Sequence, residues 1–179
     1  MWSDPDNFSA TRKARQRSKW DRSSLCGAVD WKNADFRCGH CRAYVTAQVL
    51  FAGVQNRNHC PYCLWSRHLD LHEAGDRLSA CKGAMRPLGL TLKKQRKKYA
   101  ADAPGELMLI HQCSACDRLS INRIAADDDP DLMLEVFERS LTLAPGTVRQ
   151  METQGIERLA CAERGVILAR LFGTVESRA

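Results

Sequence analysis

The sequence lacks any apolar run of the roughly 20 residues that a membrane-spanning helix needs, so we expect no membrane association. Residues 1–22 are polar and basic, without an apolar stretch, so we also expect no secretory signal and a cytoplasmic location. Aromatic residues make up only 7% of the 179 residues, which leaves little material for a large aromatic core. Hydrophobic residues still reach 44%, an ordinary globular balance that excludes a wholly disordered chain.

Nine cysteines are the unusual feature of the composition. In a reducing compartment, paired cysteines are expected to be metal ligands rather than disulfides. Charge is also unevenly distributed, since residues 1–100 carry 19 of the 27 Lys and Arg but only 8 of the 21 Asp and Glu. A basic part of this kind indicates a polyanionic partner, with a solvated basic surface as the alternative.

The strongest motif is a pair of Cys-x-x-Cys turns, one holding Cys38 and Cys41 and the other Cys60 and Cys63. Each turn places two thiolates on one side of a tight loop, and the spacing between the turns is typical of zinc ribbons. Four thiolates satisfy the tetrahedral preference of Zn²⁺, and a site closed by four protein ligands is structural. The alternative is a redox role for one of the turns, although no βαβ pattern surrounds either.

A second metal site is predicted from a third turn, Cys113 and Cys116, together with Cys81 upstream. The fourth ligand is expected to be a histidine. We favour His68, because it follows the first site closely and lies near Asp70, whose carboxylate could orient the ring. The other candidates are His59, His72 and His111.

Residues 57–61, with the letters Arg-Asn-His-Cys-Pro, resemble the signature of the bacterial RNHCP domain family, which is named for them. The resemblance covers roughly residues 36–130. It implies zinc binding, with a histidine at the position of His68, and it implies no particular activity. Such domains tend to have Gly after each Cys-x-x-Cys turn, whereas Arg42 and Asp117 stand there in this sequence. The further matching segments, in order, are 60–70, 75–77, 81–87, 113–116, 122–125 and 127–128.

These features predict an α+β fold built around a small zinc-ribbon-like β module with two metal sites, over residues 34–130. A basic extension, residues 1–33, precedes it, and a helical segment, residues 131–179, follows it. Two structural Zn²⁺ ions would lock the module together, since it has few large apolar side chains of its own. Cys26 lies in the extension and is expected to be free.

The local pattern places strands and helices along this plan. Asp129 and Pro130 predict the N-cap and first turn of a helix. A second helix is predicted from the apolar residues between 156 and 171, bent near Gly165, with Cys161 buried on its apolar face. Short apolar stretches predict strands at 44–45, 49–51, 88–92 and 107–110.

We predict a zinc-stabilised, non-catalytic nucleic-acid-binding protein, with RNA and a ribosome-associated role favoured because no helix has an evident DNA-reading face. Arg57 and Arg123, beside the metal turns, are assigned to phosphate or base contact. Asn58 and Asn122 are predicted to be structural, and His59 to donate to a thiolate. The predicted nucleic-acid-binding residues are Arg12, Lys13, Arg15, Arg17, Lys19, Arg57, Arg67, Lys93, Lys94, Arg96, Lys97, Lys98 and Arg123.

Two other functions are open at this point. One is a protein-interaction or regulatory module that docks a partner through the acidic C-terminal helices. The other is a metal-dependent nuclease using Asp127, Asp128 and Asp129, which the absence of an accompanying base or lysine pattern disfavours. These three carboxylates are instead predicted to place charge at a helix N-terminus, and no catalytic residue is assigned.

Overall fold

The structure, a computed structural model, describes residues 34–93 and 105–173. The predictions on the basic extension, on Cys26 and on Lys94, Arg96, Lys97 and Lys98 therefore lie outside the described residues. The strands are β1 (Phe36–Arg37), β2 (Tyr44–Val45), β3 (Ser66–Arg67), β4 (Ala84–Lys93), β5 (Glu106–Cys113) and β6 (Leu119–Arg123). The helices are α1 (Val49–Ala52), α2 (Pro130–Ser140), α3 (Pro145–Thr153) and α4 (Arg164–Phe172), the last preceded by a 3₁₀ turn, Cys161–Glu163.

The strands form two antiparallel sheets, so the small α+β fold predicted from the sequence is confirmed. The strands β1 and β2 pair as a short hairpin, and the other four form a sheet in the order β3-β4-β5-β6. The register of β4 against β5 shifts between Pro87 and Gly89. Pro87 has no amide hydrogen to donate to the ladder, and the bulge accommodates it within a paired strand.

Strand β5 is buried on both of its faces. Its side chains alternate between the two faces of the sheet, so the neighbours Leu109 and Ile110 point in opposite directions. Leu109 packs with Phe137 of α2, while Ile110 packs with Met151 of α3. The helices of the C-terminal segment therefore share their hydrophobic cores with the sheet.

Helix α2 begins as the sequence predicts. The carboxylate of Asp129 accepts hydrogen bonds from the amides of Asp131 and Leu132, and Pro130 occupies the first turn. These contacts satisfy two amides that have no partner within the helix. The predicted strands at 44–45, 88–92 and 107–110 are confirmed as parts of β2, β4 and β5.

The predicted strand at residues 49–51 is wrong. Val49–Ala52 forms a single helical turn, α1, closed by a hydrogen bond from the Gly53 amide to the Val49 carbonyl, with Gly53 in the left-handed region at a φ of 67°. Three consecutive apolar residues carry no period that separates a strand from a helix.

The predicted helix over residues 156–171 begins only at Arg164. The preceding chain lies along β4 instead, where the Leu159 amide donates to the Leu90 carbonyl and Thr91 Oγ1 donates to the Glu157 carbonyl. Strand β3 is too short to cover this part of β4, so the segment supplies the missing partners. Cys161 was predicted to be buried on a helix face, but it lies exposed in the 3₁₀ turn.

None of the helices in the described ranges, 34–93 and 105–173, combines the length and apolar character that a bilayer span requires.

The shared core can be tested with two phenylalanines from the C-terminal helices. Phe137 is fully buried and Phe172 is 47% exposed. We expect Phe137→Ala to lower the free energy of unfolding in urea by about 3–5 kcal/mol, and Phe172→Ala to change it by about 0.5 kcal/mol or less. Equal effects of the two substitutions would contradict a core shared between helix and sheet.

Candidate metal centres

The three Cys-x-x-Cys turns have the same backbone geometry. In each, the amide of the first cysteine donates to the carbonyl five residues later, and the amide four residues later donates back to the carbonyl of the first cysteine. The first bond measures 2.8, 2.9 and 2.9 Å for the turns starting at Cys38, Cys60 and Cys113, and the second measures 3.1, 2.8 and 3.0 Å. The paired bonds hold both sulfurs of a turn on the same side of the loop.

The residue after each turn adopts the left-handed conformation that favours glycine. Arg42, Leu64 and Asp117 have φ values of 67°, 58° and 57°. Non-glycine residues adopt this conformation at a cost of about 1–2 kcal/mol. Arg42 and Asp117 therefore keep the turn geometry although the glycine typical of the family is missing.

The first cluster brings together Cys38, Cys41, Cys60 and Cys63, whose sulfurs all lie within 4.8 Å of one another. The Sγ atoms of Cys38 and Cys63 are 3.6 Å apart, and those of Cys41 and Cys60 are also 3.6 Å apart. These distances exclude disulfide bonds, which are about 2.05 Å long. They match the edge of a sulfur tetrahedron around zinc, about 3.8 Å for a Zn–S bond of about 2.3 Å.

The second cluster brings together His68, Cys81, Cys113 and Cys116, also within 4.8 Å of one another. The Sγ atoms of Cys81 and Cys113 are 3.6 Å apart, and Nδ1 of His68 lies 3.3 Å from Sγ of Cys116. His68 directly follows β3, and Cys81 lies three residues before β4. The pairing of β3 with β4 and of β4 with β5 therefore gathers ligand candidates that are distant in the sequence.

The other histidines considered for this cluster are engaged elsewhere or point to solvent. Nε2 of His59 lies 2.7 Å from an oxygen of Asp128, and Nε2 of His111 donates to the Leu64 carbonyl at 2.7 Å. His72 is exposed. Among these four histidines, the structure brings only His68 to the three sulfurs.

Asp70 was expected to orient the His68 ring, and the structure corrects this expectation. Its carboxylate accepts hydrogen bonds from the Asn58 side chain and from the amides of Gly75 and Arg77, at 2.9, 2.9 and 3.1 Å. Nε2 of His68 has no hydrogen-bond partner within the described part of the chain. Asp70 instead holds the irregular loop that connects the two ligand candidates His68 and Cys81.

The thiols of the first cluster cannot all ionise without a compensating charge. Burial opposes ionisation of Cys38, but hydrogen bonds from the amides of Cys41 and His40 and from the thiols of Cys63 and Cys41 together lower its pKa to about 7. Burial raises the pKa of Cys60 to about 12, and burial also raises the pKa of Cys63. Four thiolates at these distances therefore require a compensating positive charge, which a bound divalent metal ion would provide.

Gly83 leaves room for the sulfurs of the second cluster. A Cβ at this position would lie 2.9 Å from Sγ of Cys113 and 3.3 Å from Sγ of Cys81. The first distance is too short for any other residue without movement of the cluster. The residues present therefore fit two metal ions, one bound by four thiolates and one by three thiolates and an imidazole.

Comparison with known protein families decides what kind of domain holds these clusters. A family model described as RNHCP domain matches residues 33–134. The chain belongs to the RNHCP domain family. No curated protein and no solved structure matches it. The matched region contains all eight residues of the two clusters and ends within α2.

The RNHCP signature is a buried ion-pair network in this structure. Nη1 of Arg57 lies 2.8 Å from Asp127, and Nη2 lies 3.2 Å from Asp128, whose second carboxylate oxygen contacts His59. The same oxygen of Asp128 accepts the Ala125 amide at 2.7 Å. The side chains of Arg57 and Asp128 have no exposed surface. The signature thus ties the first cluster to the chain that enters α2.

This network corrects three sequence-based assignments. Arg57 was assigned to nucleic-acid contact, but its guanidinium is enclosed and neutralised by carboxylates. His59 was expected to donate to a thiolate, and its ring meets Asp128 instead. Of the three consecutive aspartates, only Asp129 caps the helix N-terminus, because Asp127 and Asp128 are paired with Arg57.

Asn122 has a structural contact, as was predicted. Its amide nitrogen donates to Nδ1 of His111 at 2.9 Å, while Nε2 of the same ring donates to the Leu64 carbonyl. Burial, and then the neighbouring His59, lowers the pKa of His111 to about 4. A neutral ring with its proton on Nε2 satisfies both contacts. Asn58 is likewise held within the fold by its contact with Asp70.

Of the remaining predicted nucleic-acid-binding residues, three lie in the described part of the chain and nine lie outside it. Arg67, Lys93 and Arg123 are exposed, and Arg123 pairs with Glu106 at 3.1 Å. The others lie outside the described residues: Arg12, Lys13, Arg15, Arg17, Lys19, Lys94, Arg96, Lys97 and Lys98.

The sequence analysis did not identify a cleft of about 590 Å³ next to both clusters. Its exposed cations are Arg37 and Arg42, on either side of the first turn, and Arg67 and Lys82, each adjacent in sequence to a ligand candidate of the second cluster. No Asp or Glu in the described part of the chain lines it. The available signal was a basic residue next to four of the eight predicted ligands, Cys38, Cys41, His68 and Cys81. We call this site the basic cleft.

The metal clusters can be tested by comparing Cys60 with Cys161, which lies in neither cluster. Cys60→Ser is expected to reduce the metal content from about two ions per chain to about one, and to lower the thermal unfolding midpoint strongly. Structural zinc supplies about 10–16 kcal/mol of apparent binding free energy in small peptides. Cys161→Ser is expected to change neither quantity. Elemental analysis and thermal denaturation measure both, and equivalent behaviour of the two variants would contradict the assignment.

The buried ion-pair network can be tested with two neighbouring aspartates. Asp128→Asn leaves Arg57 buried with one charged partner fewer, and we expect a loss of about 3 kcal/mol in the free energy of unfolding. Asp129→Asn is the matched control, because Asn caps a helix about as well as Asp and should change stability by less than about 0.5 kcal/mol. Urea denaturation measures both. A loss at position 129 as large as at position 128 would contradict the network.

Proposed function

We propose that the protein is a zinc-stabilised, non-catalytic RNA-binding protein of the cytoplasm. The donor set supports zinc, because seven thiolates and one imidazole suit a soft tetrahedral ion. Each cluster offers four protein ligands, and zinc bound in this way keeps no open position for a substrate or a catalytic water. Both ions would therefore be structural.

The basic cleft is the observation that supports nucleic-acid binding most directly. Arg37, Arg42, Arg67 and Lys82 form no ion pair with a carboxylate in the described part of the chain, although other surface arginines do, such as Arg164 with Glu138 at 2.9 Å. Unpaired cations gathered in a concave site are a favourable environment for phosphates.

The two metal clusters hold the residues of the basic cleft in position. Arg37 and Arg42 are attached to the first turn, and Nε of Arg37 donates to the Arg42 carbonyl at 3.0 Å. Nε of Arg67 donates to the backbone carbonyl of Lys82 at 3.2 Å. This bond holds the Arg67 side chain against the chain segment that carries Lys82, beside the second cluster. The guanidinium groups of Arg37 and Arg67 are thereby held in orientation before any ligand arrives, which reduces the entropy lost on binding.

We assign the same role in RNA binding to the basic residues at the N-terminus and at positions 94–98. Together with the cleft they would contact the phosphates of a structured RNA, and ribosomal RNA is the structured RNA that we favour as partner. Co-purification with ribosomal particles, and release by nuclease, would support the ribosome assignment.

A second candidate is protein interaction through the C-terminal helices. It is favoured by two large apolar side chains that α4 leaves exposed, Val166 at 44% and Phe172 at 47%. Deletion of α4 would then abolish capture of the partner while the metal content stays unchanged.

RNA binding is tested by the affinity for a labelled RNA hairpin across a salt series. If the cleft contacts about four phosphates, the affinity should fall about 100-fold between 50 and 200 mM salt. Arg67→Gln should weaken binding at low salt and reduce the slope of the salt dependence by about one. Arg149→Gln, at an exposed arginine of α3, is the matched control and should leave both values unchanged. Absent or salt-insensitive binding would contradict the proposal.

A further inference from the structure

We infer that the basic cleft accepts an unpaired nucleotide, whose base stacks on His40 while Arg37, Arg42, Arg67 and Lys82 hold the adjoining phosphates. This inference rests on the RNA-binding function proposed above and assigns to the same site the part of an RNA that it binds. The observation behind this inference is a pair of aromatic rings, His40 and Trp65, that line the cleft together with the cations.

The rings of His40 and Trp65 are stacked in parallel in the cleft. Their centroids are 4.2 Å apart and their planes differ by 6°. Trp65 is half-buried, whereas His40 is exposed, so Trp65 covers one face of the His40 ring and the other face is open. A base placed on that open face would extend an existing stack.

The first metal cluster holds both rings in place. His40 lies between the ligands Cys38 and Cys41, and its amide donates to Sγ of Cys38 at 3.4 Å. Trp65 follows the second turn, and its carbonyl accepts the Cys60 amide at 2.9 Å. The stack is therefore formed where the two Cys-x-x-Cys turns meet, and it needs no rearrangement to receive a base.

The cations line the same cleft as the stack. Arg37 and Arg42 belong to the same hairpin as His40, while Arg67 and Lys82 approach from β3 and from the chain before β4. Arg37 and Arg67 each use Nε for a backbone carbonyl, and their terminal amino groups make no hydrogen bond to another described residue. Those groups remain available to phosphate oxygens.

The combination favours an unpaired base over a duplex. In a duplex both faces of each base are covered by its neighbours, so a protein ring cannot stack there unless the duplex opens. A single strand or a hairpin loop offers free base faces together with its phosphates. The cleft volume of about 590 Å³ lies within the about 300–1,000 Å³ typical of sites for compact ligands. An acidic peptide would use the cations but would gain nothing from the stack.

The test uses the full-length, metal-loaded protein, with fluorescence anisotropy of a labelled eight-nucleotide single-stranded RNA and of a blunt RNA duplex. We expect His40→Ala to weaken single-strand binding between about 5-fold and 100-fold, the worth of one stacked base, and to leave duplex binding unchanged. His40→Phe should restore most of the affinity, because it keeps a flat ring. His72→Ala, at an exposed histidine outside the cleft, is the matched control and should have no effect.

A substitution at His40 could disturb the turn between Cys38 and Cys41, so a second measurement uses the wild-type protein. The ring protons of His40 should shift upfield in the NMR spectrum when the single-stranded RNA is added, and those of His72 should not. If RNA binds but neither the His40 substitutions nor the His40 signals respond, the inference is overturned and the proposed function stands. If no RNA binds, the proposed function itself fails. Equal binding of single-stranded DNA with the same His40 response would support the cleft and overturn the preference for RNA.

Discussion

The close packing of four unbonded sulfur atoms, all within 4.8 Å of one another and two pairs of them 3.6 Å apart, is the constraint on which the rest of the fold depends. Thiolates at such distances repel one another, and burial makes that repulsion stronger. A divalent cation reverses the sign of the interaction and turns the same crowding into a cross-link between distant parts of the chain. The first cluster closes two hairpin turns against each other, and the second ties the ends of β3, β4 and β5 together. The short strands β1, β2 and β3, with two residues each, could not hold this arrangement by backbone pairing alone.

The RNHCP signature supplies the second constraint. Arg57 and His59 share the carboxylate of Asp128, and Asn58 binds Asp70, so each polar letter of the signature has a partner distant in the sequence. Cys60 then adds a ligand candidate to the first cluster. The signature is therefore a junction between that cluster, the loop after β3 and the start of α2. The polar side chains of the signature are therefore occupied within the fold.

Spacing made the first cluster and the third turn predictable, because a Cys-x-x-Cys turn fixes its own geometry through bonds within six residues. His68 and Cys81 are brought to the second cluster by strand pairing, so spacing left several histidines open as its fourth ligand. The start of α2 was predictable for the same reason, since Asp129 and Pro130 act on adjacent amides. The partners of Arg57 could not be predicted, because Asp127 and Asp128 lie 70 and 71 residues away and are joined to it only by the folded sheet. The same limit applies to the segment around Leu159, whose apolar pattern is compatible with a helix but whose amide is needed by β4. The His40–Trp65 stack was missed because it joins two different turns.

The central claim, that two metal ions held mainly by sulfur cross-link turns and short strands with little hydrophobic core of their own, is tested most directly by X-ray absorption at the zinc edge of the purified protein. The two clusters together offer seven sulfurs and one nitrogen. The predicted spectrum is therefore dominated by Zn–S bonds of about 2.3 Å, with a minor nitrogen contribution near 2.0–2.1 Å. A first shell made mainly of oxygen and nitrogen, or a protein that folds with its cysteines free of metal, would contradict the account.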